Sequence, residues 1–192
     1  MTTGKETDLD EALADTFPAS DPPSQTVPVV ATGAARDDAH GPGRVDIYRA
    51  VRRVHADDAF GPQPRYPARR WTGEGTPAVY ASLSVGGALL EILAHTEGPA
   101  PDDLVLAIAS VPRECVEEAS DLPGNWREYP YLREAQQYGD DWVRSRRSWA
   151  LQVPSAICDR EFNLLINPGH PDRERLHGTE LIPLKIDPRV RG

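Results

Sequence analysis

One short stretch of the sequence holds the ingredients of nucleotide chemistry. Arg69 and Arg70 stand together before Trp71-Thr72-Gly73, and adjacent guanidinium groups offer forked donors suited to a phosphate or pyrophosphate. Tyr80 lies near the end of an apolar run, where its ring can meet a flat base. Glu91 is the only carboxylate between Ser84 and His95, placed to accept a hydrogen bond from a sugar hydroxyl or to offset a cation forming on that sugar. At helical spacing Ser84, Gly87, Glu91 and His95 make one narrow face of small and polar groups that a ligand can approach closely. Each also has a plainer meaning, because most surface arginines are solvated, most strand tyrosines pack, and a polar stripe is the usual solvent side of an amphipathic helix.

Other reactive types carry less. Arg49 closes the first predicted strand and is a second candidate phosphate clamp, with a structural ion pair as the alternative. Ser155 follows Val153-Pro154 without a G-x-S-x-G elbow or a histidine and acid partner, so it reads as a substrate-binding residue and not a nucleophile. His170 and His177 lie in a charged run without further ligands, and no metal is expected. Cys115 and Cys158 lack any CxxC spacing, which excludes a readable zinc site or disulfide framework and suits a reducing cytoplasm.

The elements that must position these groups alternate between strand and helix. Apolar runs and turn residues predict strands over 45–51, 77–82, 104–111, 150–153, 163–167 and 181–186, and helices over 84–95 and 132–147. Ser82 or Ser84 is the candidate cap of the first helix, with Glu97-Gly98-Pro99 as its stop, and Gly139 weakens the second. This pattern predicts an α+β domain built on a mixed sheet.

Residues 1–44 read differently. They hold eight acids against three bases, five prolines and a single aromatic residue, Phe17. Such a segment buries too little apolar surface to offset the entropy of ordering, so it is expected to be a disordered extension in front of a domain over 45–192. Its start is polar and acidic, unlike a signal peptide, and the sequence contains no run long and apolar enough to span a bilayer. The net charge of −9 excludes a general nucleic-acid or membrane-surface binder, so an anionic ligand has to be met by locally placed arginines.

The order of motifs then resembles one family. Tyr48-Arg49, Arg70-Trp71, Gly73 to Gly75, Val79-Tyr80, Leu90-Glu91, Leu122-Pro123 with Trp126, Gln137-Tyr138-Gly139-Asp140-Asp141-Trp142, Val153-Pro154-Ser155, Asn163-Leu164-Leu165-Ile166-Asn167-Pro168 and His170-Pro171 look like the RES domain family. The arginine, glutamate and serine that name that family fall on Arg70, Glu91 and Ser155. The resemblance implies a fold related to ADP-ribosyltransferases and an enzyme that takes NAD as substrate, with no further cofactor, and cleaves its nicotinamide–ribose bond. It implies catalytic roles for Glu91, Arg70 and Tyr80, and substrate contacts from Arg49 and Ser155. It also implies a toxin held inactive by a helix-turn-helix antitoxin. Water, inorganic phosphate or a macromolecule remain open as acceptors, as do a homo-oligomer and a non-catalytic binding module. The chain departs from the family pattern at Ala68-Arg69, where Gly-Gly is usual, and at Thr72, where Asn is usual. An arginine at a glycine position raises the question of the backbone conformation there.

Overall fold

The most continuous apolar run of the chain becomes an inner strand buried on both faces. In the computed structural model, which describes residues 43–96 and 98–191, β1 (Arg44–Arg52) runs antiparallel to β3 (Leu104–Pro112) from the pair Arg44↔Pro112 to the pair Arg52↔Leu104. All of β3 except Ile108 is buried, as expected of a strand with no solvent side. Around this pair lie β2 (Val79–Ser82), β4 (Val116–Glu118), β5 (Ala150–Pro154), β6 (Phe162–Ile166) and β7 (His177–Pro183). The seven strands follow the order β4-β5-β6-β2-β1-β3-β7, and every neighbour pair is antiparallel except β4 with β5.

Two α-helices complete the described residues, α1 (Val85–Ala94) and α2 (Arg133–Ser145), and the architecture is a mixed-sheet α+β domain. Ser84 caps α1, its side chain accepting from the Gly87 amide at 2.8 Å. Three of the four tryptophans, Trp71, Trp142 and Trp149, are fully buried. One core gathers Ile47, Val51, Val105, Ala107, Leu164 and Trp149, while a second packs Trp71, Trp142, Leu151 and Leu165 beneath α2.

One expectation needs correction and one element was not foreseen. The last strand was expected over 181–186 and instead occupies His177–Pro183, pairing with β3 at the sheet edge. All its residues are exposed, so it carries no alternation of burial to mark its limits. The three-residue β4 was not anticipated, since Val116-Glu117-Glu118 is too short and acidic to signal a strand. The domain was expected over 45–192, and β1 opens one residue before that, at Arg44. The rest of the expected extension, residues 1–42, lies outside the described residues.

Candidate active site

Sheet register assembles one wall of a cavity. Tyr48 of β1 lies opposite Ser82 of β2, and Ser82 lies opposite Asn163 of β6, so the three side chains form a row across adjacent strands on one face. Tyr80 sits two residues before Ser82 and therefore shares that face. The chain then turns through the Ser84 cap into α1, which carries Glu91 and His95 back over the same region. Glu91 Oε1 accepts from Asn163 Nδ2 at 2.6 Å, tying the helix to β6. His95 Nδ1 lies 2.9 Å from the Glu91 carbonyl oxygen and 3.9 Å from Glu91 Oε2. A carbonyl only accepts, so Nδ1 carries the proton, and Nε2 meets the Tyr131 hydroxyl at 3.2 Å.

The other wall is a long connection gripped by α2. Gln136 Nε2 donates to the Arg69 carbonyl at 3.0 Å, and the Gly73 amide donates to Asp140 Oδ1 at 2.9 Å. Between these contacts Gly139 meets the Trp71 backbone so closely that a Cβ there would stand 1.9 Å from the Trp71 carbonyl oxygen. The glycine that weakened the helix prediction is thus what lets α2 dock on the arginine loop. Arg70 is held by its surroundings: Nη1 donates to the carbonyls of Trp126 at 2.8 Å and Glu128 at 2.9 Å. Its guanidinium carbon lies 5.0 Å from the centre of the Tyr131 ring. Trp71 itself stacks on Trp126 with ring centres 5.4 Å apart.

The two walls enclose a cavity of about 540 Å³, a size that suits a nucleotide. Arg49, Arg70, Tyr80 and Glu91, which the sequence singled out, all line it, together with Arg65, Arg69, His95, Tyr131 and Asn163. Four arginines and one carboxylate therefore face a single hollow in a chain of net charge −9. Ser155 is different. It is buried, and its hydroxyl accepts from the amides of Ile157 at 3.2 Å and Cys158 at 3.4 Å, while its neighbours Pro154, Ala156 and Ile157 line the cavity. Its side chain shapes the turn that forms part of the wall.

The polar face expected on α1 also divides. Ser84 is spent on the helix cap and on Glu161, whose Oε2 accepts from its hydroxyl at 2.7 Å. Gly87 is buried, and a Cβ there would approach Ser82 Cβ to 3.2 Å, so it is a packing position. Only Glu91 and His95 of that face reach the cavity. Arg69 adopts no left-handed backbone, since the positive-φ residues other than glycine among those described are Asp121, Arg146 and Arg160. The arginine at the usual glycine position therefore adds a cation to the cavity without backbone strain. Sequence reasoning assigned no role to Arg65, Tyr131 or Asn163. Asn163 stood within a quoted motif, but its link to Glu91 spans 72 positions in sequence.

Burial sets the electrostatics of two groups that line the cavity. Burial, followed by the neighbouring charge of Arg69, lowers the Arg49 pKa to about 10. It remains a cation at neutral pH, and one hydrogen bond to the Ala59 carbonyl helps hold it. Burial drives the Tyr80 phenol well above its ordinary range, opposed by its hydrogen bond with Thr72. Its hydroxyl lies 3.0 Å from Thr72 Oγ1 and 3.2 Å from the Trp71 amide that donates to it. Tyr80 is thus a neutral ring clamped at its polar end, unable to serve as a base.

A nucleotide-sized hollow with a cationic loop, one helix-borne carboxylate and a seven-stranded mixed sheet defines the class of domain. The chain belongs to the RES domain family, whose model matches residues 46–187. It is 34% identical over 146 residues to a "Prs ADP-ribosylating toxin" of Sphingobium sp. strain YBL2, covering 73% of this chain and 91% of that protein. A "Toxin Res" of Yersinia enterocolitica is 30% identical over 154 residues, covering 76% of this chain and 99% of the relative. Among solved structures, a chain of the M. tuberculosis MbcT–MbcA toxin–antitoxin complex shares the fold with a TM-score of 0.51 at 16% identity, over 72% of this chain and 84% of that one.

Proposed function

We propose that this protein is a toxin that consumes NAD by breaking the bond between nicotinamide and ribose. The observation that carries this reading is the single cavity lined by Arg49, Arg65, Arg69, Arg70, Tyr80 and Glu91. The arginines would hold the pyrophosphate, and the clamped ring of Tyr80 would pack against the nicotinamide or its ribose. When the C–N bond breaks, its electron pair leaves with neutral nicotinamide and positive charge develops on the ribose, as in glycoside hydrolysis. Glu91 would offset that charge and accept a hydrogen bond from a ribose hydroxyl, an effect that gains strength where water is excluded. A water oxygen or an inorganic phosphate oxygen then closes the ribose carbon, with release of a proton in the case of water. Ser155 contributes by shaping the wall.

The test is to incubate the purified protein with NAD, with and without phosphate, and to identify the products. Free nicotinamide with ADP-ribose marks a glycohydrolase, and a phosphorylated ADP-ribose marks a phosphorylase. Intact NAD after prolonged incubation would defeat the reading, and Glu91→Ala is the control. A second reading is favoured by the relative named as an ADP-ribosylating toxin: transfer of ADP-ribose to a macromolecule, for which labelled NAD would leave label on protein or nucleic acid. In either case a neutralising antitoxin is the expected partner, a helix-turn-helix protein in our reading, acting in the cytoplasm. The structural neighbour's origin in a toxin–antitoxin complex supports the partner.

A further inference from the structure

Glu91 does not face the cavity with both oxygens equally free. A carboxylate only accepts, so the Asn163 atom 2.6 Å from Glu91 Oε1 is the amide nitrogen. That assignment leaves Asn163 Oδ1 facing Ser82 Oγ at 2.7 Å, and an amide oxygen also only accepts, so the Ser82 hydroxyl donates to it. Ser82 is 2% exposed and Asn163 8%, so the bond between them is buried while the one to Glu91 lies at the cavity wall. The pairing of Ser82 opposite Asn163 comes from the β2–β6 register, so the hold on Glu91 originates in the sheet. Oε2 lies on the His95 side, 3.9 Å from Nδ1.

We propose that Asn163, oriented by Ser82, is a positioning residue that fixes the Glu91 carboxylate so that one chosen oxygen meets the substrate. This rests on reading the cavity as an NAD site. The terminal torsion of a glutamate is broad and two-fold, and the donor from Asn163 is what selects one setting. The arginines stand apart from the relay, so its loss should weaken turnover and spare substrate binding.

The experiment combines NAD kinetics with urea denaturation for Asn163→Ala, Asn163→Asp, Ser82→Ala, Glu91→Ala and the Glu91→Ala/Asn163→Ala double variant. We expect Asn163→Ala to lower kcat roughly 10- to 100-fold with KM within about twofold of wild type, the mark of a misplaced catalytic group. Asn163→Asp, of equal size but unable to donate when ionised, should lose a similar factor, and Ser82→Ala roughly threefold to tenfold on the same grounds. In the Glu91→Ala background, replacing Asn163 should cost no further turnover. Folded variants at wild-type kcat, or losses that multiply in the double variant, would overturn the proposal. Should Asn163→Ala fail to fold, the isosteric Asn163→Asp and the Ser82→Ala variant still decide it. A wild-type protein that leaves NAD intact refutes the proposed function instead. The denaturation midpoints then judge the relay: non-additive effects at Glu91 and Asn163 keep it, and additive effects reject it.

Discussion

Glu91 and Arg70 face the same cavity but owe their positions to different kinds of structure. Glu91 stands on a capped helix that follows β2 directly, and its carboxylate is anchored to a buried residue of the neighbouring strand. Arg70 stands on an irregular connection whose shape depends on helix α2, from Gln136 to Arg69 and from Gly73 to Asp140, each contact spanning 67 positions in sequence. A sheet fixes many backbone bonds cooperatively, whereas the loop rests on a few polar contacts, the buried ring of Trp71 and one close approach of backbone at Gly139. The sheet-borne wall is therefore suited to chemistry, which demands sub-ångström placement, and the loop-borne wall to holding a charged ligand.

The largest test of that division is Glu91→Ala. With the carboxylate of the cavity gone, kcat should fall by about 10³-fold while KM stays near the wild-type value, the pattern expected on losing a preorganised electrostatic group. Initial rates of nicotinamide release across NAD concentrations would separate the two constants. A change confined to KM would place Glu91 in the binding apparatus and erase the contrast between the walls.

Arg70→Ala should behave in the opposite sense. A lost charge-assisted hydrogen bond costs about 1.5–3 kcal/mol, so KM should rise roughly 10- to 100-fold, with kcat affected far less. The truncation also frees the Trp126 and Glu128 carbonyls and removes the cation stacked on Tyr131. A kcat loss larger than the KM change would show that the loop reaches the reacting atoms.

How much of this was legible in the sequence follows the same division. Strands β1 and β3 and helix α1 declared themselves through apolar runs and a serine cap, and Arg70, Tyr80 and Glu91 lay close enough along the chain to suggest a common site. The partners that hold them did not show. Asn163, Tyr131 and Asp140 reach the site only through the fold, because hydrogen bonds between residues distant in sequence leave no local periodicity to read. Gly139 pointed the wrong way, since low helix propensity marks a weak helix in sequence and a close backbone approach in space. The position of Ser155 beside the site was readable, but the bonds of its hydroxyl to the turn amides of Ile157 and Cys158 were not.

Gly139→Ala addresses the grip of α2 on the loop. Alanine favours a helix by about 1 kcal/mol over glycine, yet its Cβ would stand 1.9 Å from the Trp71 carbonyl oxygen, and the partner is backbone that cannot swing aside. Overpacking of this kind costs about 1–3 kcal/mol, and at the upper end the net loss near 2 kcal/mol corresponds to a Tm lower by roughly 4–8 °C. Calorimetry and NAD kinetics on one preparation would show both consequences. A raised KM with little change in kcat would accompany the lower Tm if the displaced loop carries binding alone. A Tm at or above wild type would mean that the helix and loop separate without cost.

Arg69→Gly restores the residue usual in related domains and carries the smallest expected effect. Arg49, Arg65 and Arg70 still line the cavity, and one partly exposed cation contributes at most about 1 kcal/mol, roughly fivefold in Kd for a diphosphate. The pH dependence is more telling. Burial is the larger cause of the lowered Arg49 pKa of about 10, and the Arg69 charge is the second. Removing Arg69 lifts the second cause only, so the Arg49 pKa should move part of the way back toward the ordinary arginine range. In the wild-type protein Arg49 is charged below about 10 and loses its proton as pH rises through that value, so ADP binding measured by calorimetry should weaken through the same interval. In Arg69→Gly the weakening should begin at higher pH, and Tyr80 does not interfere because burial keeps its phenol protonated there. Identical alkaline profiles for the two proteins would mean that Arg49 and Arg69 do not sense each other across the cavity, and that the loop arginines act as separate charges.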